Sequence, residues 1–299
     1  KNDEENALLG LNHTSSVLHP DDFASIKANW DPKDINISNS AEELNLLPES
    51  FVFIDDNPAE CAIVEGQLPE VKTINLETVD DAMYKLSRGG YFETLSISED
   101  DVKRSEMYAA NAKRAAQQKS FGNYTEYLLS LGMKAEIGGF KPVYIQRITQ
   151  LTNKSNQFNL TTRRYTEPEI REAAESSDHI CLCGRLADKF GDNGIVSVVI
   201  GRCEGDTLHV ELWLMSCRVL KRDMEFAMLD ELAKKCRERG ICRITGYYYK
   251  TAKNSMVSKL YETFGFDLVE EKENGDSVWS LDLDSYENKN KVIETVEEF

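Results

Sequence analysis

An apolar run, Glu211-Leu212-Trp213-Leu214-Met215-Ser216, lies in the second half of this 299-residue chain. It predicts the end of a strand that covers residues 207–215. A short loop follows, and Asp223 is a suitable capping residue for the helix that the spacing predicts over residues 223–239. The chain here therefore passes from a strand through a loop into a long helix.

Strand-like and helix-like segments continue outward from this unit in both directions. The predicted strands cover residues 133–140, 179–189, 194–202, 207–215, 242–249 and 277–283. The predicted helices cover residues 142–154, 167–175, 223–239 and 255–264. The order β-α-α-β-β-β-α-β-α-β predicts an α+β domain over residues 133–285.

The first third of the chain differs from the rest in charge. Residues 1–95 hold 6 basic and 19 acidic residues, whereas the remainder holds 29 and 33. This asymmetry predicts a domain boundary near residue 95. Residues 96–132 are typical of a helical connector, and residues 286–299 form a charged tail that we expect to be frayed.

Residues 1–95 alternate helix-like and strand-like pieces, an order that predicts half of a doubly wound, Rossmann-like α/β sheet. Its strand is the apolar run over residues 51–54, which ends in Asp55 and Asp56. Two carboxylates at the carboxyl end of a strand favour Mg²⁺ as a counter-charge. The alternative is that Asp55 or Asp56 caps the helix that Pro58 begins.

Composition excludes several classes of protein. The chain has 35 Lys+Arg against 52 Asp+Glu, a formal net charge of −17, whereas a general nucleic-acid binder has a basic footprint. The apolar runs are too short to span a bilayer, and the sequence does not open on a signal peptide. We expect a soluble, cytoplasmic protein that binds neither nucleic acid nor membrane.

Four stretches of the chain resemble a known family. They are residues 1–6 (KNDEEN), 23–30 (FASIKANW), 51–58 (FVFIDDNP) and 151–165 (LTNKSNQFNLTTRRY). The first three are similar to the second half of the haloacid dehalogenase fold, and the fourth is similar to a signature of FkbH-like proteins of polyketide pathways. The resemblance implies that Lys27 neutralises phosphate charge, that Asp55 holds Mg²⁺ and that Asp56 accompanies it in catalysis. It also implies an Asp-x-Asp nucleophile upstream of these stretches, which this sequence lacks, so we expect no phosphatase activity from this chain.

The second half resembles the GCN5-related N-acetyltransferase (GNAT) fold. In that family the loop after the fourth strand has the pattern Arg/Gln-x-x-Gly-x-Gly/Ala, and its backbone N–H groups receive the coenzyme A pyrophosphate. Here Arg218 matches, while Lys221 and Asp223 replace the two glycines. Glycine permits close approach of the backbone to phosphate, so the replacement argues against acyl-CoA as a cofactor. Lys221 and Arg222 would offset part of the negative charge of Asp223.

Asn254 and Tyr261 fit the second GNAT motif. The resemblance implies that Asn254 contributes to the binding site and that Tyr261 protonates a leaving thiolate. The alternative for Tyr261 is an ordinary core aromatic residue, because an aromatic at helical spacing is usually part of a core.

A polar segment between two predicted helices carries the remaining candidates. Arg163 and Arg164 could meet the phosphate of a phosphopantetheine arm or the acidic face of an acyl carrier protein. Alternatively, they are a solvated pair beside local carboxylates such as Glu167 and Glu169. Asn156 and Asn159 could join that binding site, or they could fix the loop through side-chain to backbone hydrogen bonds. Of the histidines, His209 lies nearest the expected cleft, and we expect it to pack on its strand.

Three hypotheses about function follow. The first is part of an FkbH-like protein that dephosphorylates a phosphorylated three-carbon donor and transfers the glyceryl or acyl unit to an acyl carrier protein. The second is an N-acyltransferase that uses acetyl-CoA, and the third is a non-catalytic module that docks an acyl carrier protein. The sequence leaves open whether the chain is an enzyme.

Overall fold

The computed structural model describes residues 1–93 and 102–296. The chain forms two compact units, residues 1–113 and 114–299. Residues 96–101 of the predicted connector and residues 297–299 of the predicted tail lie outside the described residues. The predicted boundaries near residues 95, 132 and 285 stay predictions. No helix within the described ranges is long and apolar enough to cross a membrane.

The first unit is a small α/β arrangement. Its helices are α1 (Glu4–Leu11), α2 (Lys33–Leu44), α3 (Pro58–Gln67) and α4 (Val79–Gly89), and its strands are β1 (Val52–Asp55) and β2 (Lys72–Asn75). The two strands are parallel, with Asp55 opposite Asn75. The predicted strand is therefore present, but each residue of β1 is only half-buried. A pair of strands with four helices does not establish a haloacid dehalogenase domain.

The second unit is built on one mixed sheet. Helix α5 (Arg104–Gln118) leads into it, followed by α6 (Tyr124–Ser130), α7 (Ile145–Lys154), α8 (Glu167–Glu175), α9 (Met224–Glu238) and α10 (Leu260–Phe264). The strands are β3 (Lys134–Gly138), β4 (His179–Asp188), β5 (Gly191–Glu204), β6 (Thr207–Met215), β7 (Arg243–Tyr248), β8 (Asp267–Glu271), β9 (Ser277–Asp282) and β10 (Glu294–Val296). Their order across the sheet is β10-β3-β4-β5-β6-β7-β9-β8.

A hydrophobic core lies on each face of this sheet. Because side chains alternate along a strand, Val198 and Val199 of β5 enter different cores. The larger core takes its helical residues mainly from α6, α9 and α10, for example Leu232 of α9. The smaller core takes them from α7 and α8, for example Ile148 and Ile170.

Neighbouring strands of the sheet are antiparallel except in two ladders. One is the ladder between β6 and β7, and the other is the ladder between β10 and β3. The element order from β3 to β9 reproduces the order that the GNAT resemblance implies, with β8 as an additional strand. The second half of the chain therefore has a GNAT-like fold within a mixed α/β structure.

The tail was expected to be frayed, and for its described part this expectation is wrong. Tyr286, Val292 and Ile293 are buried in the larger core. The carboxylate of Asp230 on α9 accepts hydrogen bonds from the Tyr286 hydroxyl (2.5 Å) and from the Lys289 amide (2.9 Å). These contacts and the pairing of β10 with β3 hold the tail in place. The tail buries its few apolar side chains, although charged residues surround them in the sequence.

Candidate functional site

A β-bulge in β6 creates the site. Along the β5–β6 ladder, Ile200 lies opposite Leu212, but the next residue, Gly201, lies opposite Val210. Glu211 is therefore an extra residue on β6, and a bulge of this kind re-aims a side chain. Glu211 lines a cavity of about 320 Å³ formed by β5, β6, the end of β7 and residues 161–163.

The Glu211 carboxylate has three polar neighbours. Its Oε2 atom lies 2.8 Å from Nη1 of Arg163 and accepts a hydrogen bond of 3.3 Å from the Tyr165 hydroxyl. His179 Nε2 lies 3.9 Å from the same oxygen. The Arg163 guanidinium also stacks on the Tyr165 ring, 4.6 Å from its centroid. Burial raises the pKa of Tyr165 well above its usual range, so this hydroxyl stays protonated and holds the carboxylate in position.

A second row of polar groups lines the same cavity. His209 Nδ1 lies 2.8 Å from the Tyr247 hydroxyl, and His209 Nε2 lies 3.8 Å from a carboxylate oxygen of Glu204. Glu204 also forms an ion pair with Arg202. The rings of Tyr247 and Tyr249 have centroids 6.2 Å apart. His209 packs on its strand, as expected, but it also faces the cavity.

The strands β6 and β7 separate just beyond the cavity. Their ladder covers only Thr207–His209 of β6 and Arg243–Thr245 of β7. Three residues, Phe158, Asn159 and Leu160, lie in the resulting gap, and we call them the insert. The Leu160 amide donates to the Trp213 carbonyl, and the Met215 amide donates to the Phe158 carbonyl, each at 3.0 Å. The insert thus pairs with β6 like a short antiparallel strand, with Asn159 opposite Leu214.

Asn254 joins the insert to the end of β7. Its Nδ2 group donates to the carbonyls of Asn159 and Tyr249, both at 2.9 Å, and its Oδ1 atom accepts from the Thr251 amide at 2.8 Å. The Tyr249 amide donates to the Leu160 carbonyl at 2.9 Å. Asn254 is completely buried, so its side chain forms hydrogen bonds with protein atoms and not with water.

The other predicted residues of this segment divide into two groups. Asn159 donates to the Ser155 carbonyl at 3.2 Å and accepts from the Thr162 amide at 2.8 Å. Arg164 donates to Asn156 Oδ1 and to the carbonyls of Thr152 and Ser155. The structure thus places Asn156, Asn159 and Arg164 in hydrogen bonds within the loop. For the two asparagines this is the alternative that the sequence leaves open, whereas for Arg164 the sequence does not predict it. Arg163 lies instead in the cavity.

The loop before α9 keeps an unusual backbone without glycine. Lys221 and Asp223, the two positions where the GNAT pattern has glycine, have φ angles of 62° and 61°. Both are therefore in the left-handed region that glycine favours. Residues that carry side chains therefore hold this backbone conformation here, at the strain of a non-glycine residue in this region.

The charged side chains of this loop point in different directions. Arg222 is buried, with Nη1 3.5 Å from Asp188 and Nη2 donating to the Arg218 carbonyl at 2.9 Å. Burial lowers the pKa of Arg222 to about 10. Arg218 Nε donates to Ser216 Oγ at 3.2 Å. Lys221 is exposed, so it is the side chain of this group that is placed to meet a phosphate from solvent.

Two carboxyl groups lie at the start of α9. Burial raises the pKa of Asp223, and it raises the pKa of Glu225 to about 7. Where these carboxyls are ionised, their negative charge opposes an anion at this helix end. The insert also lies in the gap between β6 and β7.

Tyr261 lies in the larger core. Its ring packs against Phe264, Phe266 and Trp279, and a Cβ atom at Gly246 would lie only 2.3 Å from it. The hydroxyl is buried close to the backbone of Tyr247 on β7. Burial raises the pKa of Tyr261 far above its usual range. The predicted proton donor is thus in a dry position, separate from Glu211.

In the described contacts, Lys27 and Asp55 bond to other residues and not to each other. Asp55 Oδ1 accepts from the Asn57 amide at 2.9 Å, and Asp55 Oδ2 lies 3.6 Å from the Lys33 ammonium group. Lys27 instead pairs with Glu43, and Asp56 is exposed. The cap of α3 is Asn57, whose Oδ1 accepts from the Ala59 amide at 2.9 Å, and is neither aspartate. Within the described ranges, no three His, Cys, Asp or Glu side chains form a group that could hold a metal ion.

Comparison with known proteins gives structural similarity only. No family model matches the chain, and no curated protein matches it. Half of the chain is similar to the ribosomal-protein-S18-alanine N-acetyltransferase from Escherichia coli (12% identity, 50% of this chain and 94% of that chain, TM-score 0.39). It is also similar to an acetyltransferase of the GNAT family from Streptococcus pneumoniae (15%, 50% and 98%, 0.40). A third is the PaiA N-acetyltransferase from Thermoplasma acidophilum, solved with coenzyme A (16%, 50% and 99%, 0.37). The GNAT-like fold rests on the strand order of the second unit.

Proposed function

We propose that the second unit is an N-acyltransferase that binds a primary amine in the cavity on β5, β6 and β7. One observation supports this proposal above the others. The bulge directs the Glu211 carboxylate into the cavity, where Arg163 and Tyr165 hold it. The rings of Tyr247 and Tyr249 line the same cavity and favour a cationic ligand.

The residues present suit the acceptor side of the reaction. A primary amine carries a proton at neutral pH and must lose it before its nitrogen can attack a carbonyl carbon. Glu211 accepts a hydrogen bond from the ammonium group and then takes one proton, which passes to solvent. As the C–N bond forms and the C–S bond of an acyl thioester breaks, the second proton of the amine ends on the released thiol.

The test is thiol release from acetyl-CoA in the presence of a panel of small primary amines. Glu211→Gln removes the proton acceptor but keeps the shape, so we expect a rate reduced by about 10²- to 10⁴-fold. Glu238→Gln is the matched control, because Glu238 pairs with Lys235 on the surface of α9 and does not line the cavity. An unchanged rate in Glu211→Gln, or no acylated amine from any member of the panel, contradicts the proposal.

A second candidate concerns the donor, which we propose to be an acyl group carried by an acyl carrier protein. Phosphopantetheine on a carrier protein brings one phosphate to the loop, whereas coenzyme A brings three. Asp223 and Glu225 disfavour additional phosphates, while the exposed Lys221 suits a single one. A faster reaction from acetylated carrier protein than from acetyl-CoA at equal concentration supports this donor. Binding of the carrier protein without turnover supports a docking module instead.

The role of the FkbH-like proteins stays a proposal by resemblance. In that role the chain would take part in transferring a glyceryl or acyl unit from a phosphorylated three-carbon compound to a carrier protein. The described contacts of Asp55 and Lys27 do not support a Mg²⁺-dependent dephosphorylation by this chain. The same carrier-protein assay, with a glyceryl thioester as the donor, tests whether the second unit takes part in that transfer.

A further inference from the structure

A groove runs along one edge of β2 in the first unit, and we call it the β2 groove. It is a cavity of about 470 Å³ lined by β2, by α4 and by the turn after α4, namely by Lys72–Asn75, Tyr84, Lys85, Arg88, Gly89 and Tyr91. In the described part of the chain, β2 pairs with β1 alone, and no residue of β1 lines the cavity. The β2 groove therefore lies on the side of β2 that faces away from β1.

Backbone groups of β2 with which a further strand can pair face this groove. The amides of Lys72 and Leu76 donate to carbonyls on the β1 side, at 3.2 and 3.0 Å. The backbone groups of alternate residues along a strand point to the same side, so those of Thr73 and the amide of Asn75 point away from β1. Unpaired groups of this kind at a sheet edge are a template for another extended chain.

The basic residues of the first third of the chain divide into two groups. Residues 1–95 hold 6 basic and 19 acidic residues. Three of the basic residues pair with carboxylates away from the groove: Lys1 with Glu60, Lys27 with Glu43 and Lys33 with Asp55. The other three, Lys72, Lys85 and Arg88, all line the β2 groove, and no carboxylate is among its described lining residues. The charge of the groove is therefore complementary to an acidic ligand.

Two of these three cations have no carboxylate partner of their own. Lys85 is already engaged, because its ammonium nitrogen lies 2.6 Å from a carboxylate oxygen of Asp81. Lys72 and Arg88 pair with no carboxylate among the residues that the structure describes. The Arg88 guanidinium lies over the Tyr84 ring, 5.5 Å from its centroid, and this contact holds it beside the groove. Lys72 and Arg88 can thus pair with the carboxylates of a ligand.

Two tyrosines add aromatic surface to the same groove. Tyr84 is 60% exposed and Tyr91 is 38% exposed, which is unusual for side chains of this size. The Tyr91 ring lies directly on the backbone of Gly89, so a Cβ atom at position 89 would overlap the ring. The rings offer a contact for apolar side chains of a ligand, beside the cations that attract its acidic ones.

We propose that the β2 groove binds a partner protein through an extended acidic segment, which joins the sheet as a strand beside β2. The four-residue edge is about 13 Å long, so a segment of about four residues pairs with it. Its acidic side chains meet Lys72 and Arg88, and its apolar side chains meet Tyr84 and Tyr91. This site belongs to the first unit and does not depend on the acyl transfer proposed for the second.

The experiment is a fluorescence anisotropy titration of a labelled peptide, acetyl-Glu-Val-Glu-Val-Glu-Val-amide, with the full chain. We expect saturable binding that is about tenfold weaker in the double variant Lys72→Gln and Arg88→Gln, because two ion pairs are lost. The double variant Lys1→Gln and Lys33→Gln is the matched control, since it removes the same charge away from the groove. We expect it to bind like the wild type. Equal affinity in the two double variants, or no binding of the peptide at millimolar concentration, overturns the proposal.

Thr73→Pro separates strand pairing from attraction by charge alone. Proline removes the Thr73 amide, which points away from β1, so the ladder between β1 and β2 keeps its hydrogen bonds. Thr73→Val keeps the amide and is the control. We expect the peptide to bind about three- to tenfold more weakly to Thr73→Pro and equally well to Thr73→Val. Wild-type affinity in Thr73→Pro shows that the groove holds only an anion and overturns strand pairing.

A second peptide replaces this comparison if Thr73→Pro does not fold. The same sequence with every amide N-methylated keeps its charge but cannot donate to β2, so we expect the wild type to bind it at least about tenfold more weakly. Equal affinity for both peptides overturns strand pairing. Sedimentation velocity of the wild type, with and without the first peptide, identifies the occupant. A dimer that the peptide dissociates shows that a second copy of this chain fills the groove, and it overturns the assignment to a partner protein.

Discussion

Replacing Asn254 by alanine tests what holds the insert between β6 and β7. The change removes two donated hydrogen bonds, to the carbonyls of Asn159 and Tyr249, and two accepted bonds, from the Thr251 amide and the Tyr248 hydroxyl. Asn254 is completely buried, so water does not replace these partners. Each lost bond destabilises by about 1 kcal/mol, and a buried carbonyl left without a partner adds to this. We therefore expect the free energy of unfolding to fall by about 3–5 kcal/mol.

Urea unfolding followed by tryptophan fluorescence measures this loss. The chain has three tryptophans, of which Trp213 and Trp279 lie in the second unit. In a Trp30→Phe background the signal therefore reports on the second unit alone. Asn288→Ala is the control, because Asn288 is exposed and its side chain bonds to no described residue, and we expect a change within about 0.5 kcal/mol. A loss below about 1 kcal/mol for Asn254→Ala would refute the reasoning, since the buried bonds would then contribute little.

Three further predictions concern packing, pH and the two adjacent arginines. Gly246→Ala should destabilise the second unit by about 1–3 kcal/mol in urea unfolding, because its Cβ atom would lie 2.3 Å from the Tyr261 ring. Since burial raises the pKa of Glu225 to about 7 from an ordinary 4.5, the native state binds the proton more tightly, and stability should fall as pH rises through that interval. Glu225→Gln should flatten this part of the stability profile, and an unchanged profile contradicts the assignment. Arg163→Gln should slow amine acylation more than tenfold with little loss of stability, whereas Arg164→Gln should lower the melting temperature, since its guanidinium holds loop carbonyls. The reverse pattern would show that the two arginines are assigned the wrong way round.

The order of elements in the second unit could be predicted because its signals are local. Residues 207–215 form the expected strand, and the helix after Asp223 ends at Glu238, one residue from its expected end. Periodicity, capping residues and glycine at helix ends depend on neighbours along the chain, so one sequence is enough to detect them.

The site could be predicted only in part, because its geometry depends on distant pairings. Glu211 sits inside an apolar strand, and no local signal shows that β5 has one residue fewer opposite it. The insert was recognised as a polar, distinctive segment, but its partners on β6 lie more than fifty residues away. The backbone at Lys221 could not be predicted either, since no local signal in the sequence shows that a non-glycine residue has a φ angle of 62° there.

The strand β10 illustrates the same limit in the tail. Its three residues lie in a charged region and pair in parallel with β3, at the opposite end of the unit's sequence. Short apolar pieces such as Val292-Ile293 give no pattern of their own, and only burial in the larger core reveals their role.

The account depends most on the closure of the gap between β6 and β7 by the insert. Nuclear Overhauser spectroscopy of the deuterated chain with protonated Asn159 and Leu214 measures it directly. These two residues form a non-hydrogen-bonded antiparallel pair, in which Cα atoms lie about 4.5 Å apart and the Hα atoms are in contact. We predict a strong Hα–Hα cross-peak between Asn159 and Leu214 in the protein without ligand. Absence of this cross-peak, with the Met215 amide in free exchange, would contradict the account, because the gap would then be open.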